Sequence, residues 1–511
     1  MNSSNPARRP GRVTHRPTTL DRRALLRTAG GLGMVATLPA CVSTNPATGR
    51  TSFTGTYAPE DDIRLGREQH PKLVEAFGGE YQHPRLQGYV QSVGLQLAGH
   101  TEYQQFPYRF TLLNSPIVNA FALPGGYVYI TRGLLALASN EAEMAGVLAH
   151  ELGHVNARHT AERLSAQQAT QFGLLLGAIG ARLAGLPGQV VQLGRTIAAL
   201  SIQSYSRQQE FEADTLGVRY MSRAGFEPDA MVTFLSTLRE QSQVEARSMG
   251  LPAGSIDEYN MMSTHPRTVD RVREAQAAAE AQRPASPRLA REAYLQQVDG
   301  MLYGDDPSEG ITIGSRFVHP GMGFEFTVPA GFRVRNQPDK VIAQDPSGAA
   351  MVFDIGPVAR AHSMPDYVQA EWAQKRLNDV ETLQVNGLTG GTGWTRGSSN
   401  GTPVDLRLVA LARDARSAWR LLFITPTART AELADAFRRT TYSFKQLTPE
   451  QARSVAPLRL QVRKARADDS IAQLARNLPY GALNEAWYRV LNDLPENQSP
   501  RPGQLIKVFS T

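Results

Sequence analysis

The stretch EMAGVLAHELGH, residues 143–154, is an apolar run that ends in two histidines separated by three residues. The run predicts a helix, and on a helix His150 and His154 lie on the same face, one turn apart. Both imidazoles can then reach one metal ion, and Glu151 can hold a metal-bound water as a general base. The alternative is an ordinary helix with two solvated histidines, which the sequence further along the chain disfavours.

Two carboxylates downstream are candidates for completing such a site. Glu210 and Asp214, in the stretch SRQQEFEAD at 206–214, are also four residues apart and share a helix face. Glu210 can complete a His-His-Glu site for one Zn²⁺ with the fourth position open to water. Asp214 can accept the free ring N–H of a zinc histidine. The alternative is a solvated acidic helix face, which we expect for Glu212 because it points elsewhere.

Four motifs together resemble the gluzincin metalloproteases of the HtpX-like and CAAX-prenyl-protease-like family, closest in type to the BepA-like periplasmic proteases. These motifs are NAFALPGGYVY at 119–129, HELGH at 150–154, SRQQEFEAD at 206–214 and HPRTVDR at 265–271. They follow one another in family order across roughly residues 58–280, which is about half of the chain. The resemblance implies a zinc-dependent endopeptidase.

The residue pattern around the first of these motifs independently predicts an edge strand. Residues 118–130 are apolar, partly alternating and interrupted by PGG at 124–126, which predicts strand, turn, strand. A free sheet edge beside a metal site can bind a substrate backbone as an added strand. The resemblance places Asn119, Ala120 and Phe121 on this edge strand as substrate-binding residues. An ordinary buried hairpin is the alternative.

The last motif supplies two further candidates through the resemblance alone. Arg271 is the candidate cation beside the tetrahedral oxyanion, and Arg267 and Arg273 compete with it for this role. His265 matches a histidine that in periplasmic relatives can occupy the open zinc position and hold the enzyme latent. It could instead support the transition state, and an ordinary His-Pro turn is the third possibility.

The N-terminus predicts export. In residues 1–41, the stretch RRALLR at 22–27 resembles a twin-arginine export signal, and LPAC at 38–41 resembles a lipoprotein signal-peptidase site. Cys41 is the only cysteine of the chain, and lipidation explains its position. Val42 after it favours the outer membrane, so we expect a periplasmic protein anchored there by lipid. The alternative is a plain cleaved signal with an incidental cysteine.

The net charge belongs mostly to this N-terminal segment. The chain carries a formal charge of +7. Seven arginines and one aspartate among residues 1–40 supply +6 of it, which leaves about +1 for the remainder. The composition therefore gives no case for binding nucleic acid.

The chain of 511 residues is long enough for several domains, and its fold class is predicted as α+β. The predicted pieces are a tether at 42–57, a mainly helical zincin protease domain with a small edge-strand sheet at 58–282, a linker at 283–314, an α+β domain of unknown role at 315–447, and a small module at 458–511. The apolar segment 172–202 is interpreted as one or two amphipathic helices. Residues 315–447 weakly resemble PsbP-like domains. Residues 458–511 weakly resemble a LysM module, which would bind peptidoglycan, although a structural module without glycan binding is about as consistent.

These patterns together predict a lipid-anchored zinc endopeptidase that hydrolyses misfolded or misassembled envelope proteins, with Glu151 as general base. The compartment and substrate class are implied by the export signal and the family resemblance. A first alternative is a latent protease that acts mainly as a chaperone or assembly factor for outer-membrane proteins. A second is a peptidoglycan-anchored adaptor in which the C-terminal module dominates.

Overall fold

The structure is a computed structural model that describes residues 42–53, 57–165, 205–248, 250, 274, 277, 279–337, 339–399 and 401–511. Several predictions fall on residues outside these ranges: those for the export signal at 1–41 with Cys41, the segment 172–202, His265, and Arg271 with its competitors Arg267 and Arg273. Within the described ranges, none of the helices combines the length and the apolar character that a membrane span requires.

The predicted tether begins as a hairpin docked on the protein. Strands β1 (Val42–Thr44) and β2 (Thr51–Phe53) pair antiparallel. Asn45 in the connecting turn is buried, and its side-chain amide donates to the carbonyl of Asn156 over 2.8 Å. The turn also accepts a hydrogen bond at Ala47 from Arg219. These contacts place residues 42–53 against the end of α4 and against α5, in the stretch that the sequence predicted to be a tether.

The next part is mainly helical around a small sheet, as predicted. Its elements are α1 (Pro59–Ala76), α2 (Pro84–Ala98), β3 (Arg109–Leu113), β4 (Ala120–Leu123), β5 (Tyr127–Thr131), α3 (Arg132–Leu137), α4 (Glu141–Ala157), α5 (Arg207–Arg223) and α6 (Asp229–Ser248). The sheet order is β3-β5-β4, and β4 runs antiparallel to β5 at the edge. The turn between them needs glycine, because Gly125 has φ of 78° and a Cβ there would lie 2.5 Å from the Cα of Ile63.

Helix α4 carries the HELGH motif through the centre of this part. Its seventeen residues are all buried, which is typical of a helix enclosed on every side. The side chain of Asn140 caps its first turn by accepting from the amide of Glu143. The helix ends where Arg158 adopts the left-handed conformation with φ of 58°. The side chain of Arg158 then donates to Asp62 and so ties this end to α1.

The segment predicted as a linker, residues 283–314, is part of the core instead. It contains helix α7 (Arg291–Val298), in which Tyr294, Leu295 and Val298 are fully buried. The hydroxyl of Tyr294 donates to the carbonyl of Leu135 over 2.6 Å. The apolar face of α7 explains the difference, because such a face is stable only when another surface covers it.

The following region is an α+β unit of mostly antiparallel strands. Its elements are β6 (Ile311–Ile313), β7 (Arg316–His319), β8 (Phe324–Thr327), β9 (Arg333–Gln337), β10 (Lys340–Gln344), β11 (Ala350–Pro357), β12 (Asn378–Val385), β13 (Leu388–Ser399), β14 (Thr402–Asp414), β15 (Ser417–Pro426), α8 (Thr430–Ser443), β16 (Lys445–Gln446) and α9 (Pro449–Arg453). Seven strands form one sheet in the order β12-β13-β14-β15-β11-β10-β9, and β16-β8-β7-β6 form a second. Aromatic side chains, among them Phe324, Phe353 and Trp419, fill the core. The predicted α+β class is confirmed.

The C-terminal module runs in the order strand, helix, helix, strand: β17 (Arg459–Lys464), α10 (Ile471–Ala475), α11 (Asn484–Asn492) and β18 (Leu505–Ser510). The two strands pair antiparallel. The module is not an independent unit, because Leu460, Trp487 and Phe509 belong to the same hydrophobic core as the protease helices. Whether it binds glycan stays a prediction.

A buried lysine strengthens this docking. Lys507 of β18 is fully buried, and its Nζ donates to the carbonyls of Ala136, Leu137 and Ala138 over 2.7, 3.2 and 2.8 Å. These carbonyls lie at the end of α3, where helix carbonyls have no partner inside the helix. Burial lowers the pKa of Lys507 to about 7. The three acceptors offset that cost by matching the three donors of an ammonium group.

Candidate metal centre

Three predicted ligands lie together where α4 packs against the first turn of α5. The Nε2 atoms of His150 and His154 are 3.1 Å apart. Glu210 places one carboxylate oxygen 3.6 Å from Nε2 of His150 and the other 3.5 Å from Nε2 of His154. Two ligand atoms held about 2.0–2.1 Å from a tetrahedral zinc ion are roughly 3.3 Å apart. The spacing and the donor set of two imidazoles and one carboxylate therefore fit Zn²⁺.

Two glycines allow the two helices to approach this closely. A Cβ added to Gly153, inside the HELGH motif, would lie 2.7 Å from the carbonyl oxygen of Ala213. A Cβ added to Gly217 would lie 3.1 Å from the backbone nitrogen of His150. Real Cβ atoms essentially never show a contact as short as the one at Gly153, and the one at Gly217 is tighter than most. A larger residue at Gly153 would therefore force α4 and α5 apart. Neither glycine was identified from the sequence.

Replacing Gly153 by Ala is expected to lower the free energy of unfolding by about 1–3 kcal/mol and to weaken zinc binding, because the helices must separate. Urea unfolding and a zinc titration measure the two effects. Gly88→Ala in α2 is the matched control, since a Cβ there meets nothing within 4 Å. That variant should be neutral or stabilised by up to about 1 kcal/mol. Equal behaviour of the two variants would contradict the close-packing argument.

Asp214 supports the first histidine directly. Its Oδ1 lies 2.8 Å from Nδ1 of His150, and both side chains are buried. With Nδ1 donating to this carboxylate, Nε2 of His150 is left with its lone pair toward the metal position. The distance between Asp214 and His150 is that of a hydrogen bond with a charged partner.

The second histidine is supported through an intermediary. Nδ1 of His154 lies 2.8 Å from Nδ1 of His159, and Nε2 of His159 lies 3.0 Å from Oε2 of Glu212. The expectation that Glu212 is a solvated surface acid is therefore wrong, because its side chain is only 12% exposed and contacts a buried histidine. The sequence offered one unused signal, a third histidine five residues after the motif.

A tyrosine covers the ring of His154. The rings of His154 and Tyr205 stack with centroids 3.7 Å apart. The guanidinium of Arg163 lies 3.9 Å from the centroid of the Tyr205 ring. Burial lowers the pKa of His154 well below its usual value, so the imidazole is kept neutral, as a metal ligand requires. Tyr205 was not identified from the sequence.

Glu151 lies in α4 between the two histidines and is completely buried. The charge of its carboxylate acts on Tyr205, whose ring stacks on His154, so the carboxylate lies near the ligand group. A buried carboxylate next to a metal position has the placement that a general base needs.

The predicted substrate-binding residues lie on the edge strand β4 or just before it. Ala122 and Leu123 of this strand line a small cavity together with His154, so the strand runs beside the metal centre. The backbone N–H of Thr131 donates to the carbonyl of Asn119, which therefore faces the sheet. Main-chain groups alternate in direction along an antiparallel edge, so those of Ala120 face away from β5, and all four residues of β4 are buried. The ring of Phe121 is buried and stacks on Tyr129.

Comparison with known proteins agrees with this geometry. Residues 84–279 match the family described as Peptidase family M48. The Beta-barrel assembly-enhancing protease of Escherichia coli (strain K12) is 29% identical over 250 residues, which are 48% of this chain and 49% of that protein. The Yersinia pestis protein of the same name is 30% identical over 267 residues, or 50% and 52% of the two chains. The resemblance to gluzincin proteases is confirmed for this region.

The similarity covers only part of each chain. This chain spans about half the length of these curated relatives. The Mitochondrial metalloendopeptidase OMA1 of Schizosaccharomyces pombe is 29% identical over 41% of this chain and 58% of that protein. The solution structure of a cyanobacterial PsbP from Synechocystis covers 27% of this chain and 95% of its own, with 15% identity and a TM-score of 0.21. A TM-score of 0.21 is too low to establish a shared fold, so the PsbP-like interpretation stays a prediction.

Proposed function

We propose that this chain, which carries a peptidase M48 domain at residues 84–279, is a zinc endopeptidase that cleaves unfolded or misassembled polypeptides of the bacterial cell envelope. The observation that supports this most is the buried cluster of His150, His154 and Glu210, whose ligand atoms lie within 4.8 Å of one another. Glu151 adds a base in the same helix.

Each group of residues at the site has its own role in peptide hydrolysis. When bound, zinc polarises the scissile carbonyl and acidifies the attacking water. His150, His154 and Glu210 hold the ion. Glu151 accepts the proton of the attacking water and returns it to the leaving amine. The main-chain groups of β4 that face away from β5 would orient the substrate as an added strand once the residues that bury β4 move aside. Such binding depends on the backbone of the substrate more than on its side chains, which suits substrates of varied sequence.

The substrate class rests on the names of the relatives, which include the beta-barrel assembly-enhancing proteases of several bacteria. A second candidate function is a latent protease that acts mainly as an assembly factor. The burial of the centre favours it, because His150 is only 7% exposed and Glu151 and Glu210 are fully enclosed. A peptide bond reaches such a site only after the enclosing residues move.

Metal removal tests the proposal. The purified protein loaded with zinc is expected to cleave reduced, unfolded casein, to lose this activity on chelation and to recover it when zinc is returned. Cleavage products are measured by gel electrophoresis and mass spectrometry. If the zinc-loaded protein leaves casein and an unfolded outer-membrane protein intact but keeps the latter from aggregating, the assembly factor is the better description.

We also propose that the protein is exported and anchored to the outer membrane through lipid on Cys41. The lipoprotein-like stretch LPAC at 38–41 supports this. Cys41→Ser is expected to move the protein from the membrane fraction to the soluble periplasmic fraction or to leave it unprocessed. Fractionation with antibody detection measures this. A wild-type protein that is already soluble after lysis without detergent would rule out the anchor.

The remaining assignments stay predictions. Arg271 as the oxyanion-stabilising group and His265 as either an inhibitory zinc ligand or a catalytic group fall outside the described residues. Binding of peptidoglycan by residues 458–511 is supported only by the weak LysM resemblance. Binding to isolated cell-wall sacculi tests the latter directly.

A further inference from the structure

A continuous chain of polar contacts leads from the ligand His154 to the protein surface. It runs from Nδ1 of His154 to Nδ1 of His159 over 2.8 Å, and from Nε2 of His159 to Oε2 of Glu212 over 3.0 Å. The same Glu212 oxygen accepts from Nη1 of Arg50 over 2.8 Å. His159 is fully buried and Glu212 nearly so, whereas the side chain of Arg50 is 43% exposed.

The chemistry of two facing imidazoles admits one consistent assignment of protons when Nε2 of His154 serves the metal. Nδ1 of His154 then carries its hydrogen and donates it. Nδ1 of His159 must accept, so the hydrogen of His159 is on Nε2 and is donated to Glu212. The carboxylate at the end thus selects the tautomer of His159, and His159 in turn selects that of His154.

The local backbone explains how His159 reaches this position. In an uninterrupted helix, a residue five positions after His154 would lie about 140° around the axis from it. Arg158 interrupts α4 with its left-handed conformation, and the helical segment 159–165 begins directly after it. This break turns the chain so that the ring of His159 faces His154 edge-on, with centroids 5.0 Å apart.

The two zinc histidines are therefore supported by carboxylates from one helix. Asp214 contacts His150 directly, whereas Glu212 reaches His154 through His159. Helix α5 also supplies the ligand Glu210. The position of this single helix consequently sets one ligand and both carboxylates that orient the other two.

We propose that His159 and Glu212 are positioning residues of the metal centre, which hold His154 in the tautomer and orientation that bind zinc. This inference rests on the proposed zinc site. It assigns to Glu212 the role that Asp214 has for His150. Arg50 of the N-terminal hairpin holds the carboxylate from the outside, so docking of the hairpin contributes to the order of the site.

The test measures zinc affinity of the purified protein by competition with a chromogenic chelator. His159→Phe and Glu212→Leu are each expected to weaken zinc binding by about 10–100-fold, the usual effect of losing a group that orients a metal ligand. Glu212→Gln keeps an oxygen that accepts from His159, so it should recover most of the loss. The double variant should bind no more weakly than His159→Phe, because Glu212 acts through His159. The absorption spectrum of the Co²⁺ form should shift in both single variants.

Glu162→Leu is the matched control. Glu162 also lies near Arg50, at 3.7 Å, but its hydrogen bond is to Gln209 and not to the histidines. The zinc affinity of the Glu162→Leu variant should equal that of the wild type. Thermal unfolding of the metal-free proteins identifies a variant that is merely destabilised. Unchanged zinc affinity in both single variants, or equal losses in Glu212→Gln and Glu212→Leu, would overturn the positioning role. A wild type that binds no zinc would instead refute the proposed function.

Discussion

Replacing Glu151 by Gln is expected to lower kcat/KM for peptide hydrolysis by at least about 10²–10⁴-fold, the usual contribution of a general base. The amide has nearly the same size as the carboxylate but cannot accept the proton of the attacking water. Glu151 is not one of the three clustered ligands, so the zinc content should remain that of the wild type. A fluorogenic peptide assay together with metal analysis measures both quantities.

The control for this variant is a second buried carboxylate in the same helix. Glu143 is 2% exposed, and its side chain accepts hydrogen bonds from the amide of Ser139 and the hydroxyl of Thr233. Burial raises its pKa, so a neutral amide is a mild replacement. Glu143→Gln should therefore keep most of the activity. Turnover near the wild-type rate in Glu151→Gln would be fatal to the proposed mechanism.

Replacing Glu210 by Ala is expected to remove one of three ligands and to weaken zinc binding well beyond the roughly 10–100-fold cost of losing an outer group. Zinc at about 100 times its Kd stabilises the native state by about 2.7 kcal/mol. The rise in Tm that zinc produces in the wild type should therefore disappear in the variant. Calorimetry with and without zinc, together with a zinc titration, measures these effects.

The exposed residue Gln208 provides the comparison, since it lies in the same first turn of α5 and points to solvent. Gln208→Ala should keep the affinity for zinc and the zinc-dependent rise in Tm. Full occupancy of Glu210→Ala with unchanged affinity would exclude Glu210 as a ligand, and the His-His-Glu assignment would then have to be abandoned.

Several parts of the fold could not be predicted from the sequence, because they depend on contacts between residues that are far apart along the chain. The hydrophobic face of α7 could be read as helix, yet its burial against Leu135 depends on chain segments far apart in sequence. The same holds for Lys507, which by composition alone reads as a surface residue. Its three carbonyl partners lie some 370 positions earlier. Patterns within a few residues cannot report contacts of this range.

The sequence by itself determined the two residue pairs of the candidate metal centre. The spacing of His150 and His154, and that of Glu210 and Asp214, follows from the periodicity of a helix, which is a local property. Only the tertiary structure decided that Gly153 lets the two helices touch, because that role exists only when α5 is present. It also decided that Glu212 turns inward. One turn of helix can present a carboxylate to solvent or to a buried histidine, and packing of the segment after α4 selects between them.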